Sequence, residues 1–377
     1  MLKSFEMTNF KSFKTHTKIN LEKTNYQTLL GTNVKNNVVK GAMFVGANAS
    51  GKTNILLAIK FLLDCLFGKS DINFNAYFCI FSKDSSLSLK YTFLIDNSEI
   101  IYEITYQRID EFVKEKLKVD GKVVFVREAS VANVSISEEL SFTDVPNNTL
   151  FLRDVYFNTK FRGNTVLQHW FDFLSNSVYL DLYAAKLTVY KALDLSLETY
   201  MEEDGAKQIN SFFDELNFNQ HIEYDKSSRG RLIKVESPEK MIYFKRKGIE
   251  EPIPFVLESL GNRNLLELLP SFFHCIENGG MLILDEFSSG FHNDLEELLV
   301  KYFMKKSDWS QLFFVSHSTN LLSNSLLRPD QLYSVDFGNE GSYIKRFSSE
   351  RPREAQNLEK MYLAGVFDGV PNYESNF

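Results

Sequence analysis

Residues Gly46-Ala47-Asn48-Ala49-Ser50-Gly51-Lys52-Thr53 place two glycines, a lysine and a threonine at the spacing of a phosphate-cradling loop, G-x-x-x-x-G-K-[ST]. Gly46 and Gly51 let the backbone fold back so that successive N–H groups converge on one anion. In that arrangement Lys52 reaches the β- and γ-phosphates and the Thr53 hydroxyl holds Mg²⁺. Further along, Met281-Leu282-Ile283-Leu284-Asp285-Glu286 is an apolar run that ends in two acids. This is the Walker B pattern. Asp285 would orient Mg²⁺ through water or Thr53, and Glu286 would polarise an attacking water as a general base. A third apolar run, Leu312-Phe313-Phe314-Val315, ends in Ser316-His317-Ser318, where His317 could contact the γ-phosphate and sense its loss. Ser259 and Gly261 offer a hydroxyl and an N–H at the start of a helix running through Leu265, Leu266, Leu268 and Leu269, which is an anion site or simply a helix cap.

The elements that must carry these residues are legible around them. Residues 42–45 form a short apolar run before the loop, and Asn54 opens a stretch of helical periodicity to position 66. Strand, loop and helix are the context the phosphate loop requires, with the helix N-terminus aimed at the phosphates. Asp285 and His317 close apolar runs of strand length, and ligands gather at the C-terminal ends of parallel strands. From 86 to 126 the period changes to two, with Asp96-Asn97 and Asp120-Gly121 as turns, which predicts an antiparallel meander. Residues 150–216 carry helical spacing, including Leu182, Ala185, Leu187 and Leu193. Strands return over 221–244, with Ser227-Ser228-Arg229-Gly230 as the hairpin turn, and α/β alternation resumes from 255.

Composition narrows the classes. Lys+Arg 42 against Asp+Glu 49 leaves a net charge of −7 on 377 residues. A protein that grips nucleic acid through its whole surface leans basic, so nucleic-acid contact is left to a local patch or a partner. Cys65, Cys79 and Cys275 are far apart, form no CxxC and read as buried thiols of a reducing compartment. No apolar stretch approaches membrane-spanning length, so a cytoplasmic protein with no membrane contact is expected.

In combination, Gly46-x-Asn48-x-Ser50-Gly51-Lys52-Thr53-Asn54, Ser259-x-Gly261, Asp285-Glu286 and His317, in that order, resemble an ABC-type P-loop ATPase head. Asn48, Asn54 and the opening Asn9-Phe10-Lys11-Ser12-Phe13 are similar to the SMC, RecF and OLD branch. Glu258-Ser259-x-Gly261 and the stretch from Tyr362 to Pro371 resemble the AAA15-type ATPases of bacterial anti-phage defence and abortive infection. The resemblance implies an α/β fold: an ABC-type head over 1–149 and 245–377 with an antiparallel β wing, and a helical and β-hairpin insert over 150–244 before the signature. It implies ATP and Mg²⁺ as cofactors, held by Gly46 to Asn54, with Lys52, Glu286 and His317 catalytic and Thr53 and Asp285 at the metal. It also implies a homodimer or higher oligomer in which Ser259 and Gly261 act in trans. Two departures stand out. No glutamine near 73–81 serves as the Q-loop, and Asn262 stands where the family often has threonine.

What such a switch would control is open at this level. One reading is an anti-phage switch acting on a separately encoded effector, a Toprim-like nuclease or a toxin, after a phage trigger. The chain has no Asp-x-Asp cluster for a metal nuclease of its own. A second is a RecF- or SMC-like repair ATPase that binds DNA. A third is a nucleotide-binding scaffold with little turnover, and the weakest is a transporter's ATP-binding subunit.

Overall fold

The computed structural model describes residues 1–68, 72–136, 138–147 and 149–371. Its centre is a sheet that, among the described residues, has seven strands in the order Lys186–Val189, Val178–Asp181, Gly280–Asp285, Ser310–Val315, Gly41–Val45, Leu332–Gly338 and Gly341–Arg346. The inner five run parallel, and each edge strand pairs antiparallel. Gly41–Val45, Gly280–Asp285 and Ser310–Val315 are buried along their whole length. This is why they read as unbroken apolar runs, since strands covered on both faces carry no polar alternation.

Successive side chains leave opposite faces of these strands. Phe44, Ile283 and Phe313 enter one core, and Met43, Leu282 and Phe314 enter the other. The first core also takes the helix Lys52–Phe67 and the inner face of an antiparallel wing. Among the described residues the wing has eight strands, in the order Glu139–Phe142, Val131–Ser135, Lys122–Glu128, Phe112–Val119, Ser98–Gln107, Ser86–Ile95, Leu2–Thr8 and Thr17–Asn20. The expected turns are present. Asp96 and Asn97, and again Asp120 and Gly121, have positive φ at both central positions, as a two-residue hairpin turn matched to strand twist requires.

A fully buried ion pair locks the wing to the helix Phe151–Thr159. Arg127 Nη1 donates to Glu115 Oε1 at 3.0 Å, and both side chains are 0% exposed. Glu115 also accepts from Tyr102 Oη and from the N–H groups of Phe151 and Leu152, the first residues of that helix. Burial pushes the Glu115 carboxyl up, against the opposing pull of Arg127 and these donors. Glu115→Ala would leave Arg127 a buried unpaired cation and is expected to cost about 3–5 kcal/mol. The check is the shift of the urea midpoint at unchanged slope; a loss under about 1 kcal/mol would contradict it.

The second core lies on the opposite face and is built by the helices Leu260–Asn278 and Asn293–Lys306, with Leu197, Tyr200, Ile209 and Phe212. Residues 150–244, expected as one insert, are therefore divided. Phe151–Thr159 and Thr165–Ser175 pack into the wing-side core, and Leu197–Glu203 and Lys207–Glu215 into the other. Two strands between them extend the central sheet. The helical reading across Leu182 to Leu187 is thereby corrected: Val178–Asp181 and Lys186–Val189 are strands, and the spacing of Leu182 and Leu187 comes from a hairpin. Gln220–Arg229, Lys234–Arg246 and Ile249–Pro254 make a sheet of their own. Its first turn lies at Gly230 to Ile233, where Gly230 N–H donates to the Ile233 carbonyl, so Ser227, Ser228 and Arg229 belong to the strand. The three cysteines are free and buried, and no described helix is long and apolar enough to cross a membrane.

Candidate active site

Gly46 leaves the strand Gly41–Val45 with φ +153 and Gly51 precedes the helix Lys52–Phe67 with φ +107. Neither position admits a side chain. A Cβ on Gly46 would collide with the Val335 carbonyl oxygen, and one on Gly51 with the hydroxyls of Ser342 and Ser12. The loop is thus clamped from outside. Ser342 Oγ lies 2.6 Å from the Ser50 carbonyl oxygen and 2.7 Å from Ser12 Oγ, which also accepts from Asn54 Nδ2 at 2.8 Å. The turn Asn9-Phe10-Lys11-Ser12-Phe13 therefore acts as a brace for the phosphate loop, a role its sequence did not disclose.

The loop opens on a cleft of about 490 Å³ lined by Asn48, Ala49, Gly51, Lys52, Thr53, Asn54, Tyr183, Glu286 and His317. The N–H groups of Lys52 and Thr53 at the helix start have no acceptor within the helix, so their donors and dipole are available to an anion, while the Asn54 N–H donates to the Gly51 carbonyl at 3.0 Å. Lys52 is 6% exposed, and its ammonium donates to the carbonyl oxygens of Gly46 and Ala47 at 2.9 and 2.8 Å. Among the described residues it has no ion pair. Burial holds its pKa below the usual lysine value, while the charges of Glu286 and Asp285 oppose the shift. A buried cation satisfied only by carbonyls is a site that an anion would complete.

Asp285 ends its strand 3% exposed, with Oδ1 accepting from the Thr53 hydroxyl at 3.1 Å and Oδ2 from the Tyr179 hydroxyl at 3.3 Å. Burial pushes its carboxyl up, Thr53 and Tyr179 pull it down, and the charges of Asp181 and Glu286 add to the rise. A hydroxyl and a carboxylate in contact form an all-oxygen donor set, which fits Mg²⁺, an ion that takes one or two carboxylates and completes its shell from phosphate and water. Glu286 takes φ +52, a left-handed conformation uncommon outside glycine. Its Oε2 stands 3.7 Å from His317 Nε2, beyond hydrogen-bond reach. Burial first, and the Lys52 charge second, keep the His317 imidazole below the ordinary histidine range. It is therefore neutral near pH 7 and can accept or donate in the space between.

The remaining candidates lie elsewhere on the chain. Ser259 is the exposed N-cap of Leu260–Asn278, its hydroxyl accepting from Asn262 N–H at 3.3 Å. Gly261 packs so closely on Gly290 that a Cβ would strike the Gly290 carbonyl oxygen. Asn264 Nδ2 donates to the Ser289 carbonyl at 2.9 Å. The helix start is thus tied to the loop after Glu286, although neither Ser259 nor Gly261 lines the cleft of its own chain. Tyr179 and Tyr183 were missed. The signal was there: Val178-Tyr179-Leu180-Asp181 has the same form as Leu282-Ile283-Leu284-Asp285, an apolar run ending in an acid, and the two pair in register with Asp181 opposite Asp285.

A model of the family described as "AAA domain, putative AbiEii toxin, Type IV TA system" matches residues 42–323. No curated protein matches the chain. Among solved structures, an SMC head domain from Thermotoga maritima is similar at 17% identity and a TM-score of 0.49, over 91% of this chain and 97% of that one. An SmcHead bound to the C-winged helix domain of ScpA is similar at 14% identity and a TM-score of 0.49, over 91% of this chain and 96% of that one.

Proposed function

The chain belongs to this family of AAA domains, and from that premise we propose that it binds ATP with Mg²⁺ and hydrolyses it as the switch of an anti-phage, abortive-infection system. The observation that carries this reading is the meeting of Thr53 and Asp285, 232 positions apart, at 3.1 Å, where Thr53 lines the cleft together with Lys52, Glu286 and His317. Lys52 exchanges the carbonyls of Gly46 and Ala47 for β- and γ-phosphate oxygens, and the backbone N–H groups of the loop and of Lys52 and Thr53 close around the phosphates. Bound Mg²⁺ at Thr53 and Asp285 would offset charge on the phosphate oxygens. Glu286 takes a proton from water as the water oxygen bonds to the γ-phosphorus. The bond from that phosphorus to the β–γ bridging oxygen breaks, and ADP and phosphate leave. His317 contacts the phosphate being released.

Ser259 and Gly261 complete the pocket of a second copy. The exposure of Ser259 at a helix start supports this, as do Val256, Leu257 and Leu260, apolar side chains 66%, 75% and 54% exposed beside it. A two-fold, head-to-tail pair would cover that surface and place each Ser259 over its partner's nucleotide. The ATP-closed pair then acts in the cytoplasm on a separately encoded effector, a Toprim-like nuclease or a toxin, when a phage component is sensed. Ser259→Arg tests the composite site. ATP binding by the monomer is expected to survive, while ATP-dependent dimer mass disappears and turnover falls roughly 100-fold. Unchanged mass and turnover in this variant would refute the shared pocket.

A further inference from the structure

Tyr183 stands on the wall of the cleft, yet it is 82% exposed, and among the described residues its ring and hydroxyl have no partner. Its placement is nevertheless built. Asp181 Oδ1 accepts from the N–H groups of Tyr183 and Ala184 at 3.0 and 2.9 Å, which folds the turn between Val178–Asp181 and Lys186–Val189. Leu182 is buried, and its N–H donates to the Asp285 carbonyl at 3.2 Å, pinning the turn to the end of the strand that carries the two acids. A turn braced this way presents an unpaired phenol to the cleft that Thr53 and Glu286 also line. Free of protein partners, its O–H is a ready donor to an anion.

We propose that Tyr183 is a further catalytic residue of the nucleotide site, its hydroxyl donating to a terminal-phosphate oxygen of bound ATP, with Asp181 as the positioning residue that holds the turn. Tyr183 thereby supplies a polar contact that no glutamine near 73–81 can make. The assignment rests on the reading of the cleft as an ATP site. It is tested on the full-length protein by measuring ATP and ADP affinity and single-turnover hydrolysis for the wild type, Tyr183→Phe, Asp181→Ala and Asp181→Asn. Tyr183→Phe is expected to lower the hydrolysis rate about 10- to 100-fold while ADP affinity stays within about threefold. Asp181→Ala should lower the rate similarly, whereas Asp181→Asn keeps an acceptor for the same two N–H groups and should retain most of it. If turnover proves too slow to follow, the same contact is read as a preference for ATP over ADP, which Tyr183→Phe lowers about tenfold. Wild-type turnover or ATP preference left intact by Tyr183→Phe overturns this assignment alone. A wild-type protein that binds neither nucleotide overturns the ATP reading beneath it as well.

Discussion

Lys52→Ala is expected to weaken ATP binding by about 100- to 10,000-fold, through the loss of two charge-assisted contacts to phosphate at roughly 1.5–3 kcal/mol each. The substitution isolates binding because the lysine does little for the fold. Its ammonium is buried against two loop carbonyls and has no carboxylate within ion-pair distance among the described residues. Removing a desolvated cation of that kind relieves a penalty instead of creating one. The thermal midpoint of the nucleotide-free variant should therefore match or exceed the wild type, and only the rise in midpoint on adding ATP should vanish. Calorimetric titration with Mg·ATP gives the affinity directly. Normal affinity in a folded Lys52→Ala protein would remove the loop from Gly46 to Thr53 as the nucleotide site.

The parts of this site that could be read from sequence are those whose chemistry is local. Gly46 and Gly51 are marked by the positive φ that the loop's own turns require, and Leu282 to Asp285 by burial on both faces of one strand. Turns with two positive-φ residues, such as Asp96-Asn97, announce themselves in the same way. What escaped depends on contacts far apart in sequence. The brace from Ser342 to Ser12 joins positions 330 apart, and no pattern near either serine marks it. Val178–Asp181 failed for another reason. Four residues are too few to separate a strand from the end of a helix by periodicity, and the helix Thr165–Ser175 directly before it biased the reading. Reading these residues as helix hides Tyr179, Asp181 and Tyr183 from the site.

Glu286→Gln separates chemistry from binding. The glutamine has the same shape, can occupy the same left-handed backbone at φ +52, and keeps an oxygen facing His317 across the 3.7 Å gap. It cannot take up the proton that water must lose as its oxygen bonds to phosphorus. General-base catalysis is worth roughly 100- to 10,000-fold, so the hydrolysis step should slow by about that factor while ATP affinity changes little. If two copies close over the nucleotide, slower cleavage also prolongs the closed state. The ATP-loaded pair should then persist through size-exclusion chromatography with light-scattering detection, where the wild type reverts to a smaller mass as ATP is consumed. The two readouts fail independently. A slowed rate without a longer-lived pair would keep Glu286 as the base and discard the sandwiched dimer. An unchanged single-turnover rate would mean that the proton leaves by another route, and the acid after Asp285 would then owe its strained position to the turn at 286–290 and its contact with the helix start at Gly261.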